Sequence, residues 1–510
     1  MITQTDKTPP SLGRRISHMW PLKLKHSPKS RSAKPVGECA GWTLPLDIFR
    51  EIANHSSDTE VWCLSKCSKE LRALLLPEIY AEVLLKCGTR KCSTILDMLS
   101  NSPHLWIHIR TLALGPDWLS YPIEPLVEGW IISKVEKMIP GLARLHKFHW
   151  CGILSLPEST LAALRHSCPE LRNLAYGTEM QMLSPGSELF KFRNLFQLSI
   201  FVRGLGGARA TSSTSTDFPP QLCEMLLGNP DLEQLVIDAP GKRLDQMSQL
   251  LHGQWPKLWY LNIALFSFPV SAQRQLPTFL ALHPSLTTLG LCFDAGDTIL
   301  PLILDHMALP LLTSFTGVSQ HFCALPSTHL LAGLALHNII DTAESLAPTL
   351  AALPRFPFLN HLEIQLVDAG HISKLRAVVS ICPYLVTLNI SYLACNMNQL
   401  KEVAAVLAQP VWLRSLKITK PYRLVDGSML SAALLLLAHN HGLRDIHLIC
   451  MTAKGWKQSG DYNVISTDNI EVLEAKEFGL RAVGGSFTRQ FQYGLEGGPK
   501  LSKGLARMRL

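Results

Sequence analysis

The sequence predicts an α/β solenoid, in which short parallel strands stack on one side and helices on the other. Three observations carry this. A phrase of apolar, two residues, apolar, one residue, apolar recurs along the chain. It reads "DLEQLVI" (Leu232, Leu235, Ile237), "KLWYLNI" (Leu258, Leu261, Ile263), "SLTTLGL" (Leu286, Leu289, Leu291), "FLNHLEI" (Leu359, Leu362, Ile364), "YLVTLNI" (Leu385, Leu388, Ile390) and "WLRSLKI" (Leu413, Leu416, Ile418). Its first leucines at 232, 258 and 286, and at 359, 385 and 413, stand 26, 28, 26 and 28 residues apart. Before each phrase runs a helical apolar pattern that stops at or just before a proline, as in "LCEMLLGNPDL", "HISKLRAVVSICPYL" and "LKEVAAVLAQPVWL". Proline cannot continue a helix and biases its predecessor toward extended geometry.

Each unit therefore reads helix, proline-marked turn, short strand. Strand side chains alternate, so Leu388 and Ile390 face the unit's own helix while Thr387 faces away. Looser copies of the phrase are "IRTLAL" from Ile109, "LHKFHW" from Leu145, "LRNLAY" from Leu171, "LFQLSI" from Leu195, "LAGLAL" from Leu331 and "LRDIHL" from Leu443. The polar stretch "ARATSSTSTDFPP" lengthens one step and reads as a surface loop. A doubly wound α/β domain also alternates helix and strand, but its strands are longer apolar runs and a Gly-rich phosphate loop follows one of them. The repeat, spaced within the 20–29-residue window, resembles the leucine-rich repeat family in a degenerate form over about 105–450. That family places Asn or Cys three residues beyond the phrase. Here those positions hold Phe266, Asp294, Val367 and Leu393, so a side-chain ladder of that kind is not expected.

The chain has 510 residues, 47% hydrophobic and 17% charged, a core-rich composition too long for one ordinary core. A net charge of +8 is modest, and much of it sits at the two ends, so no nucleic-acid surface is expected over the body. The 13 cysteines form no CxxC pair and are expected to be reduced thiols. The longest apolar run, "MLSAALLLLA" at 429–438, is too short to span a bilayer and reads as a buried helix. No secretory h-region opens the chain, so a cytoplasmic or nuclear protein is expected.

Residues 41–85 do not fit the repeat. "LPLDIFREIANHSS" places Pro45 near the first helical position and Asp47 in the first turn, with Leu44, Ile48, Phe49 and Ile52 on one face. "DTEVWCLSKCSKELRALLL" reads as a second helix capped by Asp58, and "LPEIYAEVLL" as a third restarting after Pro77. The positions Leu44, Pro45, Ile48, Ile52, Leu64, Cys67 and Leu71 resemble an F-box motif, and "LLLPEIYAEVLL" is similar to the ending of fungal F-box proteins. The resemblance implies a helical surface, built on those seven residues, that docks a Skp-type adaptor and through it a cullin. The chain would then be the substrate receptor of an SCF-type ubiquitin ligase, its repeats binding a protein substrate. The other reading of 41–85 is a helical cap on the first repeat, leaving a leucine-rich scaffold without a ligase role.

The expected organisation is a basic leader at 1–40, an F-box-like helical module at 41–90, the solenoid at 91–450, and a C-terminal cap and basic Gly-rich tail at 451–510. The leader carries eight Lys and Arg and no acid over 7–37, interrupted by prolines. It reads as a flexible segment or a nuclear-import patch; the prolines speak against the amphipathic helix of a mitochondrial transit peptide. No GxSxG, HExxH or GxxxxGK[ST] occurs, and the histidine pairs His104/His108 and His146/His149 read as turn and surface residues. No catalytic residue, cofactor or metal is expected, nor a membrane. The outward strand residues Gln234, Tyr260, Thr288, His361, Thr387 and Ser415 are the expected substrate contacts.

Overall fold

The computed structural model describes residues 46–87, 89–115, 125–152, 154–179, 183–203, 218–243, 247–267, 269–293, 299–326, 330–340, 343–366, 371–391, 397–420, 429–451, 456–467, 470–482 and 492–493. It divides into two compact units, at Ala175/Tyr176. Leu44, Pro45, Asp294, Val367, Leu393 and most of the polar stretch at 208–220 lie outside the described residues.

The first unit begins with three helices, α1 (Leu46–His55), α2 (Asp58–Leu64) and α3 (Lys69–Ile79). The cap of α2 is Ser57 rather than Asp58. The Ser57 hydroxyl accepts from the Glu60 N–H, and the Glu60 carboxylate accepts from the Ser57 N–H at 2.6 Å. Asp58 is the first helical residue because this reciprocal box satisfies two helix-start donors at once. The Ser57 N–H and hydroxyl also hold the Glu60 carboxyl below its ordinary pKa. The long second helix expected from the pattern is broken at Ser65–Cys67, where Ser68 caps a new start by accepting from the Leu71 N–H at 3.0 Å. The expected third helix is replaced by the end of α3 and a strand, β1 (Glu82–Lys86). β1 pairs in parallel with β2 (Thr111–Gly115), and β2 with β3 (Lys147–Trp150). The parallel stack thus begins inside the segment read as helical. His104 lies in the short helix Pro103–Trp106, and His149, read as a turn or surface residue, lies half-buried in β3.

β4 (Asn173–Glu179) spans the division between the units. The second unit continues with β5 (Gln197–Arg203), β6 (Gln234–Arg243), β7 (Tyr260–Ser267), β8 (Thr288–Phe293), β9 (Ser314–Gly317), β10 (Gly333–Ile340), β11 (His361–Leu366), β12 (Thr387–Ser391), β13 (Ser415–Lys420) and β14 (Asp445–Met451). Each strand from β5 to β14 pairs in parallel with the next. Two antiparallel strands follow, β15 (Trp456–Thr467) on β14 and β16 (Ile470–Ala482) on β15, with β17 (Gln492–Tyr493) on β16. They cover the last parallel edge, which would otherwise be an open template for pairing. The segment 451–510, expected to be a cap and a basic Gly-rich tail, thus carries sheet as far as Ala482 and again at Gln492–Tyr493. The fold is the α/β solenoid expected from the phrase.

The phrase leucines face inward. Leu362, Ile364, Leu388, Ile390, Leu416 and Ile418 are all buried against the helix side. That side holds the helices Gln221–Leu227, Val270–Ala281, His371–Ile381, Met397–Leu407 and Met429–His439. The last of these is the "MLSAALLLLA" run, and it buries Met429, Ala432, Ala433, Leu436 and Leu437.

The link from helix to strand is a tight turn three residues ahead of the first leucine. Leu232, Leu258, Leu286, Leu385, Leu413 and Leu443 donate their N–H to the carbonyls of Asn229, Trp255, His283, Cys382, Pro410 and Asn440. Where that position is polar, the side chain is buried and fully used. Asn229 Oδ1 accepts from Leu195 N–H at 2.8 Å, and its Nδ2 donates to Met225 and Phe192 carbonyls at 2.7 and 3.2 Å. His283 accepts the Trp255 N–H at Nε2 and lies 2.7 Å from the Phe279 carbonyl through Nδ1.

A single backbone device recurs at the start of every described parallel pairing. The carbonyl of the residue after the first apolar position accepts two successive N–H groups from the next repeat; that position is Tyr80 and Ile109 in the first two pairings and leucine in the others. In the first unit the Ala81, Arg110 and His146 carbonyls do this. In the second the carbonyls are those of Phe196, Glu233, Trp259, Thr287, Thr313, Ala332, Asn360, Val386 and Arg414. The distances for Val386 are 2.8 Å from Arg414 N–H and 3.0 Å from Ser415 N–H.

Two stability predictions follow from the buried polar groups. Asn229→Ala leaves one N–H and two carbonyls without this partner and lowers stability by about 2–4 kcal/mol, read as a shift in the urea midpoint. Burial pushes His321 down to about 4 from 6.5. The unfolded chain takes up this proton first, so stability is full above about pH 6.5 and falls as the pH drops toward about 4. His321→Gln flattens that slope in thermal melts taken across the window.

Candidate protein-binding face

The outward side of the second unit's strands is laid out in rows by the pairing register. One row runs Gln197, Gln234, Tyr260, Thr288, Ser314, Gly333, His361, Thr387, Ser415, Asp445. All six residues expected to contact a substrate therefore fall in this one row, each half-buried. The reading missed Gln197, Gly333 and Asp445, although the looser phrase copies hold them at the same position. It also missed Ser314, whose strand reads "LTSFTG", with Phe315 and Gly317 in place of the usual aliphatics.

A second row, two residues further along each strand, runs Ser199, Val236, Asn262, Gly290, Thr316, Ala335, Glu363, Asn389, Lys417, His447 and, on β15, Asp461. The two rows show a change of character along the sheet. From β11 to β14 every outward position in them is polar: His361, Glu363, Thr387, Asn389, Ser415, Lys417, Asp445 and His447. Over β6 to β8 the second row is smaller and less charged, with Val236, Asn262 and Gly290.

The polar half is partly pre-arranged. Asn389 Nδ2 donates to Glu363 Oε2 at 3.0 Å, which fixes both side chains across adjacent strands. His447 Nδ1 contacts Asp461 Oδ1 across the parallel-to-antiparallel junction. Burial lowers the His361 pKa, with Glu363 opposing the shift, and burial raises that of Tyr260. This surface offers alternating donors and acceptors at about 4.8 Å spacing between strands, suited to a polar partner surface.

In the other half the Asn262 side chain lies over Gly290. A Cβ on Gly290 would sit 2.3 Å from Asn262 Oδ1. That oxygen is buried and has no hydrogen-bond partner among the described residues. The missing side chain at 290 is thus what lets Asn262 lie flat across the sheet.

The helical segment divides its expected anchors. Ile48 and Ile52, one turn apart on α1, are 47% and 41% exposed. Cys67 is exposed and Leu71 half-buried. Leu64 instead packs with Ile79 on the buried cluster of Ala53, Val61 and Leu75. Spacing alone placed Leu64 and the isoleucines in one set, and packing separates them.

Among the described residues no group of His, Cys, Asp and Glu is placed to hold a metal ion. No helix among them is long and apolar enough to cross a membrane. Cys63, Cys67, Cys87, Cys92 and Cys382 form no disulfide.

No protein-family model matches the chain, and no curated protein is similar to it in sequence. Among solved structures it is similar to the complex of Rad7 and Elc1 in yeast, at 14% identity and a TM-score of 0.38, covering 79% of this chain and 86% of that one. It is also similar to the leucine-rich repeat-containing protein LegL7 from Legionella pneumophila, at 12% identity and a TM-score of 0.30, covering 71% of this chain and 97% of that one. A TLR13–ssRNA13 complex matches at 15% identity and a TM-score of 0.30, over 68% of this chain and 53% of that one.

The packing of Asn262 over Gly290 is testable by a double-mutant cycle. Gly290→Ala is expected to cost about 1–3 kcal/mol by overpacking, and most of that cost should vanish in an Asn262→Ala background. Equal costs in both backgrounds would show that the two side chains do not meet.

Proposed function

We propose that the chain is a non-catalytic substrate receptor of an SCF-type ubiquitin ligase. In this reading α1 to α3 dock a Skp-type adaptor, and through it a cullin, while the polar strand face of β11 to β14 holds a protein substrate. The reading rests on one observation above the others. Ile48 and Ile52 stand exposed on one face of α1, while other residues, Ala53, Val61 and Leu75, make the buried cluster. Two β-branched aliphatics exposed one helical turn apart are poor solvating residues and good anchors.

The physical role is to raise the effective concentration of one protein near another, which needs two binding surfaces and no chemistry. Ile48, Ile52, Cys67 and Leu71 are the adaptor contacts on this reading. Leu64 serves the module's own core. The substrate contacts are His361, Thr387 and Ser415 from the row read in the sequence, joined by Glu363, Asn389 and Lys417. Gln234, Tyr260 and Thr288 extend the same row.

Co-expression of the full chain with a Skp-type adaptor tests the proposal. Wild type is expected to co-purify with the adaptor. An Ile48→Asp, Ile52→Asp double variant is expected to lose it while its circular dichroism stays unchanged. Truncation of such an anchor costs about 2–4 kcal/mol, so loss should be complete at micromolar concentration. Failure of the wild type to bind would reduce α1 to α3 to a cap.

A further inference from the structure

The residue just before the first leucine of each repeat stands outside the core. Early in the second unit this position is polar: Asp231 and Lys257 pair across adjacent repeats at 2.8 Å, and Ser285 follows. At the next five repeats it is apolar in succession: Leu311, Leu330, Phe358, Tyr384 and Trp412. Their exposures lie between 48% and 60%, and Val411 beside Trp412 is 75% exposed. Their alignment follows from the backbone. Two residues on, Thr313, Ala332, Asn360, Val386 and Arg414 are locked into one line by the carbonyl device, each bonded to the next. The five side chains therefore form one stripe along the strand starts.

The stripe ends in a charge. At the next repeat the same position is Gly442, and a Cβ there would sit 2.4 Å from Arg414 Nη1. Arg414 lies across the vacated place and donates to the Gly442 carbonyl at 3.1 Å. Among the described residues no carboxylate pairs with it. The row thus reads as five apolar side chains and then a guanidinium.

We propose that this stripe docks an amphipathic helix of a partner protein, with a carboxylate at the end that meets Arg414. Two features select that occupant. Repeats are about 4.8 Å apart, close to the 5–6 Å between same-face helix neighbours and short of the 6.6–6.8 Å between alternate residues of an extended chain. Five positions span about 19 Å, the length of roughly 13 helical residues. The guanidinium, held by the Val411, Leu413 and Gly442 carbonyls and without a carboxylate partner among the described residues, selects the acidic end. This surface is separate from the face and helices assigned above, and the inference does not rest on the ligase reading.

The test uses the full chain and labelled synthetic peptides of about 16 residues, with leucines at i, i+4, i+7 and i+11. One carries two glutamates in its first turn, a second carries lysines there, and a third alternates leucine and serine to favour an extended form. Fluorescence anisotropy should show the glutamate peptide binding at least about tenfold more tightly than either of the others. A Phe358→Ser, Tyr384→Ser, Trp412→Ser variant should lose about tenfold with unchanged circular dichroism, and if it misfolds, Trp412→Ser alone should weaken binding. Arg414→Glu should reverse the preference between the two charged peptides. Equal binding by wild type and the serine variants, no saturable binding, or tighter binding of the extended peptide overturns the proposal. So does sedimentation showing a dimer that the serine variants abolish, since a second copy would then occupy the stripe.

Discussion

One carbonyl oxygen at each described parallel pairing sets the register of the strands. It belongs to the residue after the first apolar position of the phrase, and it accepts two successive N–H groups from the following repeat. A buried backbone group left unpaired is costly, so each repeat is tied to its neighbour at one fixed residue. Every outward row inherits its alignment from that point. The polar face, the apolar stripe and the two core leucine rows are all counted from the same carbonyl. A one-residue slip at any repeat would turn its leucines outward, and so the register is strongly specified.

Because the strand starts carry this constraint, the helix side is free to vary. Between β8 and β9 the described residues 299–313 form no helix, and Leu302, Ala308, Leu309 and Leu312 fill the core from turns instead. Leu309 does so with φ of 57°, a left-handed conformation unusual for leucine, compensated by complete burial of its side chain. The step from Leu312 to Leu331 is only 19 residues, and its helix Ser319–Ala324 is correspondingly short. The turn before each strand is equally adaptable. Asn229, His283 and Asn440 use different side-chain atoms to satisfy neighbouring backbone groups at one position. The expected absence of an Asn or Cys ladder after the strands thus meets a fold that ties its repeats together at the strand starts.

Charge is also graded along the second unit. At the strand starts an ion pair gives way to five apolar side chains and a cation. On the outward face a small-residue segment centred on Gly290 gives way to a charged and hydrogen-bonded one. Graded surfaces of this kind let a solenoid present different chemistry at different repeats without changing its backbone. The two antiparallel strands that follow β14 close the series and add Asp461 to the polar row.

The sequence by itself determined the strands that carry the phrase, the turns before them and the row of outward residues they share. Alternation fixes which residues face out, so Gln234, Tyr260, Thr288, His361, Thr387 and Ser415 could be placed on one face before any coordinates. Pro169, Pro230, Pro284, Pro383 and Pro410 mark where the helices before the phrases stop, but Pro77, expected to separate two helices, lies inside the helix Lys69–Ile79. What the pattern misjudged were the segments whose local propensity fits two structures. "EVLLK", at the end of the segment read as helical, pairs as β1, because the edge of β2 offers it five backbone partners. "LTSFTG" lacks the usual aliphatics yet pairs as β9 between two strong strands. The break at Ser65–Cys67 follows from Ser68 competing as a cap. Only tertiary structure could separate Leu64 from Ile48 and Ile52, since spacing records the face of a helix and not what covers it. The same holds for Arg414 lying over Gly442: that contact joins side chains of adjacent repeats, and it exists only once the carbonyl ladder has aligned them.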